Sequence, residues 1–147
     1  MPYNTNAEAD SYFSARFGFD SWGALTEPQK SMSLFSANQI LDNLCDWYGT
    51  KTSDTQTNEF PRDGETVVPE KIKQAELEIA FNIISTNSTS TDSGDSLEEL
   101  KAGSVALKFK VENKGANPLL NDLTKRLLSG YGICFFGGSS RIVRLIR

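Results

Sequence analysis

The sequence predicts a mainly α protein: a bundle of about four helices with a short β-hairpin or strand element and an extended C-terminal tail. Two capping motifs, one long amphipathic segment and one alternating segment support this class. The 147 residues fit one domain. We therefore predict a helical domain over residues 1–136, with a flexible insertion at 86–96 and a β element at 104–112, and a docking tail at 137–147.

Capping boxes open the first two predicted helices. Thr5 is followed three residues later by Glu8, and Thr26 by Gln29, so each pair can satisfy two backbone N–H groups. The first helix should end near Gly18 and the second near Tyr48, before a glycine. The apolar faces are Ala9, Tyr12, Phe13 and Phe17 in the first helix, and Leu34, Ala37, Leu41, Leu44 and Tyr48 in the second. Phe19 and Trp22, between these helices, should anchor the core.

The central helix follows a turn at residues 60–64, with sequence FPRDG. Pro69 suits a first helical position, where its missing N–H would be unpaired anyway. More than half of the circumference is apolar, so neighbours are expected on at least two sides. Glu76 and Glu78 interrupt this surface, and we interpret them as surface or interhelix salt-bridge residues rather than a catalytic pair.

The C-terminal half is less regular. Residues 86–96 are rich in Ser and Thr and contain no apolar side chain, which is typical of a flexible segment. Residues 104–112 alternate apolar and polar side chains, the pattern of a half-buried strand. A last helix should start near Pro118, end at Gly130, and bury Leu119, Leu120, Leu123, Leu127 and Leu128.

Composition excludes several kinds of function. The chain has no histidine, which excludes Ser-His-Asp, Cys-His and His-ligated metal sites. The composition still allows an enzyme that uses only carboxylates or a lysine, but no residue spacing supports one, so we predict neither catalysis nor a cofactor. The net charge of −4 argues against a general nucleic-acid binder. Cys45 and Cys134 lack metal-ligand spacing, and we interpret them as free buried thiols. No secretory signal or bilayer-spanning stretch is found, which predicts synthesis in a cytoplasm.

Two basic segments are candidates for binding. The end of the tail has an arginine at every third position with aliphatic residues between: Arg141, Ile142, Val143, Arg144, Leu145, Ile146, Arg147. This segment could fold back, dock on another protein or contact nucleic acid. Lys108, Lys110 and Lys114 lie near Phe109 and could hold a nucleic-acid strand. An ordinary strand with a solvated lysine face is the simpler interpretation of that segment.

Several motifs together resemble a known family. Residues 7–13 read AEADSYF, a Phe-Pro-Arg turn begins at Phe60, and residues 68–75 read VPEKIKQA. In this order they resemble small tailed-phage proteins that are encoded among head and tail genes and labelled DnaT-like single-stranded DNA-binding proteins. The match covers residues 3–85 well and the C-terminal half in outline.

The resemblance implies a structural virion protein of a bacteriophage, a head-to-tail adaptor made in the host cytoplasm. Such adaptors form a ring, commonly of twelve copies, between the portal and a tail or nozzle protein, and double-stranded DNA passes through the channel without specific binding. Residues 141–147 would dock on the portal, and Lys108, Lys110 and Lys114 could contact the DNA. The alternative is a single-stranded DNA-binding replication accessory protein that uses these lysines and Phe109. A third possibility is a small cytoplasmic regulator with the tail as peptide ligand.

Overall fold

A computed structural model describes residues 1–86 and 119–135 of the chain. These residues form five helices and two short paired strands: α1 Asn6–Ser14, α2 Asp20–Gly23, α3 Glu27–Leu44, β1 Cys45–Trp47, α4 Glu70–Thr86, α5 Asp122–Leu128 and β2 Gly132–Cys134. The predicted mainly α class with a short β element is confirmed. The predictions for residues 87–96, 104–112 and 137–147 lie outside the described residues. No helix in the described part is long and apolar enough to cross a bilayer.

Both predicted capping boxes are formed. The Thr5 hydroxyl accepts from the backbone N–H of Glu8 at 3.2 Å, and the Glu8 carboxylate accepts from the backbone N–H of Thr5 at 2.7 Å. The α1 helix nevertheless ends at Ser14, four residues before the predicted stop. Phe17 therefore leaves the helix and is fully exposed, contrary to its predicted place on the apolar face. Trp22 is buried as predicted, whereas Phe19 is 37% exposed.

The α3 helix is shorter than predicted because its last residues become a strand. Leu34, Ala37, Leu41 and Leu44 are buried on one face, as their spacing indicates. Cys45 then takes extended backbone angles, φ −129° and ψ 152°. Pairing with a distant strand overrides the helical pattern here, and Tyr48 is 54% exposed instead of lying on the core stripe.

The α4 helix is the centre of the fold, between α3 and α5. Its apolar face is fully buried: Ile72, Ala75, Ile79 and Ala80 have no exposed surface. Burying one isoleucine contributes about 1.5–3 kcal/mol, so this face is a main source of stability. The helix starts at Glu70, one residue after Pro69, which was predicted as its first residue.

Glu76 and Glu78 are also fully buried, which corrects the prediction that they lie at the surface. Glu78 forms a salt bridge with Arg16, after the end of α1, at 2.5 Å and accepts from the Tyr12 hydroxyl at 2.7 Å. The salt-bridge interpretation is therefore confirmed for Glu78. Glu76 instead accepts backbone N–H groups from Tyr3 and Asn4 at 2.8 and 2.9 Å, so it fixes the N-terminal segment to α4.

The last helix begins at Asp122, after an Asn121 side chain that caps the N–H of Thr124 at 2.9 Å. Leu119 and Leu120 are buried as predicted, but they precede the helix. Leu123 is 46% exposed, contrary to prediction, because the helix turns Thr124 and Leu128, four residues apart, toward the core instead. The α5 helix leads through Gly130 directly into β2.

Candidate nucleic-acid interface

The two strands form a short antiparallel ribbon at the end of α3. Cys45 lies opposite Cys134, Asp46 opposite Ile133 and Trp47 opposite Gly132. The two cysteines form a disulfide, which corrects the prediction of free thiols. They are 89 residues apart in sequence, and only the strand pairing places them side by side. Sequence spacing carries no signal for such a contact.

A glycine allows the two strands to approach. A Cβ atom at Gly132 would lie 2.6 Å from the backbone oxygen of Asp46 and 3.0 Å from the Cα atom of Trp47. The first distance is shorter than real Cβ contacts permit, and the neighbour is backbone that cannot rotate away. A larger residue at this position would separate the strands.

The inner face of the ribbon packs on one aromatic residue. Phe60 is 5% exposed and makes edge-to-face contacts with Trp47, Tyr131 and Tyr3, with ring centroids 4.9, 6.1 and 6.3 Å apart. Such contacts each add about 0.5–1.5 kcal/mol beyond area burial. The predicted turn at residues 60–64 thus supplies the aromatic centre under the ribbon, and its Phe60–Pro61 bond is cis.

The arginine of the same turn holds the end of β1. The Arg62 guanidinium donates to the backbone oxygens of Tyr48 at 2.8 Å and Gly49 at 2.7 Å, and to the Glu59 carboxylate at 2.8 Å. The Asp63 carboxylate accepts from the backbone N–H of Thr50 at 2.8 Å. Arg62 is therefore committed to internal hydrogen bonds and is not available to bind phosphate.

The outer face of the ribbon is exposed, and it carries large apolar side chains around one acidic residue, Asp46, which lies opposite Ile133. Ile133 and Phe135 point the same way because side chains alternate along a strand, and they are 48% and 58% exposed. Tyr48 continues this surface beyond β1, opposite Tyr131, whose backbone oxygen accepts the Tyr48 N–H at 2.9 Å. We call Tyr48, Ile133 and Phe135 the ribbon face. Exposed aromatic rings held on a rigid strand pair can stack on nucleic-acid bases.

The charge around this face is unfavourable to phosphate. The described residues contain eight Lys and Arg side chains against fourteen Asp and Glu side chains. Six of these cations form ion pairs within the described part of the chain: Arg16, Lys30, Lys51, Arg62, Lys73 and Lys125. Hydrogen bonds from the Lys73 ammonium and from the Thr5 backbone N–H lower the pKa of Glu8 to about 2. The Glu8 carboxylate therefore stays charged at neutral pH.

The remaining segments have the opposite balance. Residues 87–118 and 136–147 contain seven basic and five acidic side chains. The sequence candidates Lys108, Lys110 and Lys114 are among them, as are the three tail arginines, and all lie outside the described residues. Residue 136 follows Phe135 directly, so one of these basic segments begins at the ribbon face.

Residues 2–146 match a protein-family model whose description is "Putative DnaT-like ssDNA binding protein". The chain belongs to this family. No curated protein and no solved structure matches the chain. The match extends through the C-terminal half, which the motifs covered only in outline.

The family assignment changes the functional hypothesis. The predicted label of DnaT-like single-stranded DNA-binding protein is confirmed, but the head-to-tail adaptor prediction is wrong, because the family description indicates single-stranded DNA binding. The virion, connector and dodecameric-ring predictions fail with it. Portal contact by residues 141–147 depended on that hypothesis and concerns residues outside the described part. The absence of catalysis stays a prediction; the described residues contain no cluster of His, Cys, Asp or Glu able to hold a metal ion.

Sequence reasoning missed the ribbon face. Tyr48 was predicted to lie on the apolar face of the second helix, and no helix or strand was predicted at residues 133–135. A signal did exist: Gly49 and Gly130 flank two short segments with bulky and β-branched side chains, which is typical of paired strands. The local sequence pattern could not indicate that these two segments pair with each other, because they are more than 80 residues apart.

Proposed function

We propose that this protein binds single-stranded DNA, with the ribbon face as the surface on which bases stack. The observation that carries the proposal is the exposure of Tyr48 and Phe135 on a strand pair whose inner face is held by a disulfide, Phe60 and Arg62. Family membership supports the same class of ligand. Single strands suit such a face because their bases are free to leave the stack, whereas duplex bases are not.

The basic segments complete the proposal. Stacking on an aromatic side chain contributes about 1–3 kcal/mol per base and tolerates any sequence. Phosphates require cations, and those of the described part are largely paired with acids. Lys108, Lys110 and Lys114, predicted from the sequence as DNA contacts, are the proposed phosphate ligands. The acidic helical body then limits the contact to a short stretch of DNA.

The test measures anisotropy of a labelled oligo-dT strand titrated with the full-length protein. Tyr48→Ala and Phe135→Ala should each weaken binding by about 5- to 100-fold, the equivalent of one lost stacking contact. Phe17→Ala is the matched control, because Phe17 is fully exposed but lies after α1, and it should leave affinity unchanged. Equal effects of all three substitutions, or no binding at physiological salt, would overturn the proposal.

The lysines are tested through salt dependence. Each phosphate contact contributes about −0.7 to the slope of log affinity against log salt for single strands. Lys108→Ala, Lys110→Ala and Lys114→Ala should each make that slope shallower by about this amount. Lys71→Ala, at an exposed position on α4, is the control and should leave the slope unchanged. An unchanged slope in all three variants would remove these lysines from the interface.

A further inference from the structure

A second exposed surface lies away from the ribbon face. An open groove of about 880 Å³ runs between the N-terminal segment and α3, lined among others by Pro2, Ala7, Ser31, Met32 and Phe35. Met32 is 67% exposed and Phe35 is 53% exposed. The proposed DNA contacts use neither side chain. Large apolar side chains that are clustered and uncovered indicate a surface that receives a partner.

The groove continues along one face of α3. Met32, Ser36, Gln39 and Asn43 follow each other at spacings of four, three and four residues, so they share one side of the helix. All are exposed except Ser36, which is half-buried. This side leads from the groove to the end of α3, where the backbone oxygen of Leu44 accepts the N–H of Phe135 at 3.0 Å. The groove and the start of the C-terminal segment are therefore linked along a single helix face.

We propose that residues 141–147 of the same chain occupy this groove. Leu44 and Met32 are twelve residues apart, about 18 Å along a helix. Six residues of extended chain span about 20 Å, so residues 136–141 can cover that distance. The aliphatic residues at 142–146 then reach Met32 and Phe35, and the small residues at 137–140 pass Asn43 and Gln39. The chain length beyond Phe135 matches the groove in distance and in polarity.

Charge favours the same occupant. The segment carries three arginines and no acid, whereas acids outnumber bases in the described part of the chain. Glu27 lines the groove at its far end and is exposed. This carboxylate already accepts from Lys30 at 3.0 Å and from Asn6 at 2.9 Å, and an arginine can add a further hydrogen bond to it. Exposed ion pairs contribute little to binding energy, so the apolar contact with Met32 and Phe35 supplies most of the affinity. The charges determine which way the tail segment runs along the groove.

The first experiment places a photo-crosslinking amino acid at position 35 of the full-length chain, with position 17 as control. Both native residues are exposed phenylalanines on different parts of the surface. Irradiation should join position 35 to a peptide within 141–147, and position 17 should not yield this product. Mixing ¹⁵N-labelled and unlabelled chains separates the two sources of the peptide. Products within one chain support the proposal, whereas products only between chains would show that a second copy fills the groove and overturn it.

The second experiment follows peroxide oxidation of Met32 by peptide mass spectrometry, with free methionine in the same solution as reference. A bound segment shields Met32, so Leu145→Ser with Ile146→Ser should speed its oxidation severalfold. Ser139→Ala with Ser140→Ala is the control and should leave the rate unchanged. A wild-type rate equal to that of the Leu145 and Ile146 variant, together with no crosslink from position 35, would show that the groove is open and the proposal wrong.

Discussion

The pair of helices α3 and α4 and the β1–β2 ribbon are stabilised in different ways. The helices bury side chains that recur at helical spacing, and residues such as Leu41 and Ile79 have no exposed surface. The ribbon has only three residue pairs, and it depends on contacts from elsewhere in the chain: a disulfide, the Phe60 ring and the Arg62 guanidinium. A two-stranded ribbon is marginal by itself. Because its inner face supplies all of this support, its outer face is free to carry exposed aromatic residues.

Removing the disulfide should have the largest effect and should separate the two regions. Closing a loop of 89 residues stabilises the fold by about 4.6 kcal/mol in the chain-entropy account, so Cys45→Ser with Cys134→Ser should lose up to this amount in urea unfolding. Amide exchange at Tyr48 and Phe135 should quicken more than exchange in α4, and oligo-dT binding should weaken. Wild-type protein treated with a reductant is the control and should match the variant. Two titratable thiols in the untreated protein would contradict the pairing.

The stability of the helical region should depend on pH through the ionisation of Glu76. Burial raises the pKa of this carboxyl to about 7, although hydrogen bonds from Tyr3 and Asn4 oppose the shift. The folded state therefore binds the proton more tightly than the unfolded state, whose pKa is near 4.5. The stabilisation is fully present below pH 4.5 and is lost as pH rises through 7, so the free energy of unfolding should fall by roughly 2–3 kcal/mol between pH 5 and pH 8.

Glu76→Gln tests this dependence. The amide keeps an oxygen acceptor for the N-terminal segment but cannot ionise, so unfolding free energy in urea should vary less between pH 5 and pH 8 than in the wild type. Since the chain has no histidine, few other groups titrate in this range. Burial also raises the pKa of Asp42, and this contribution cancels in the difference between the two proteins. Parallel pH profiles for both proteins would contradict the assignment to Glu76.

The same contrast explains what the sequence could predict. Capping boxes and apolar spacing are local, and the starts of α1 and α3 and the buried face of α4 were predicted from them. The burial of Glu76 depends on backbone N–H groups more than 70 residues away, and the disulfide depends on strand pairing across most of the chain. Tyr48 was misassigned because continuing the helix fits its local pattern, while β2 lies far away in sequence. The ribbon face is therefore the part that required the structure.

Close packing of the ribbon gives the smallest and most local test. Gly132→Ala would place a methyl group against the Asp46 backbone oxygen, and such overpacking costs about 2 kcal/mol. Gly130→Ala is the matched comparison: its Cβ would meet nothing within 4 Å, but its φ of +93° disfavours other residues, at about 1 kcal/mol. Urea unfolding and amide exchange at Tyr48 would measure both.

The two glycines separate crowding from backbone conformation. If strand contact governs the ribbon face, Gly132→Ala should speed exchange at Tyr48 and weaken oligo-dT binding, whereas Gly130→Ala should lower stability with little change in binding. Exchange in α4 should follow only the global loss of stability in both variants. A larger binding defect from Gly130→Ala would mean that the turn into β2, and not the close pairing with β1, sets the position of Phe135. The aromatic surface would then depend on the end of α5 and not on the disulfide-linked strand pair.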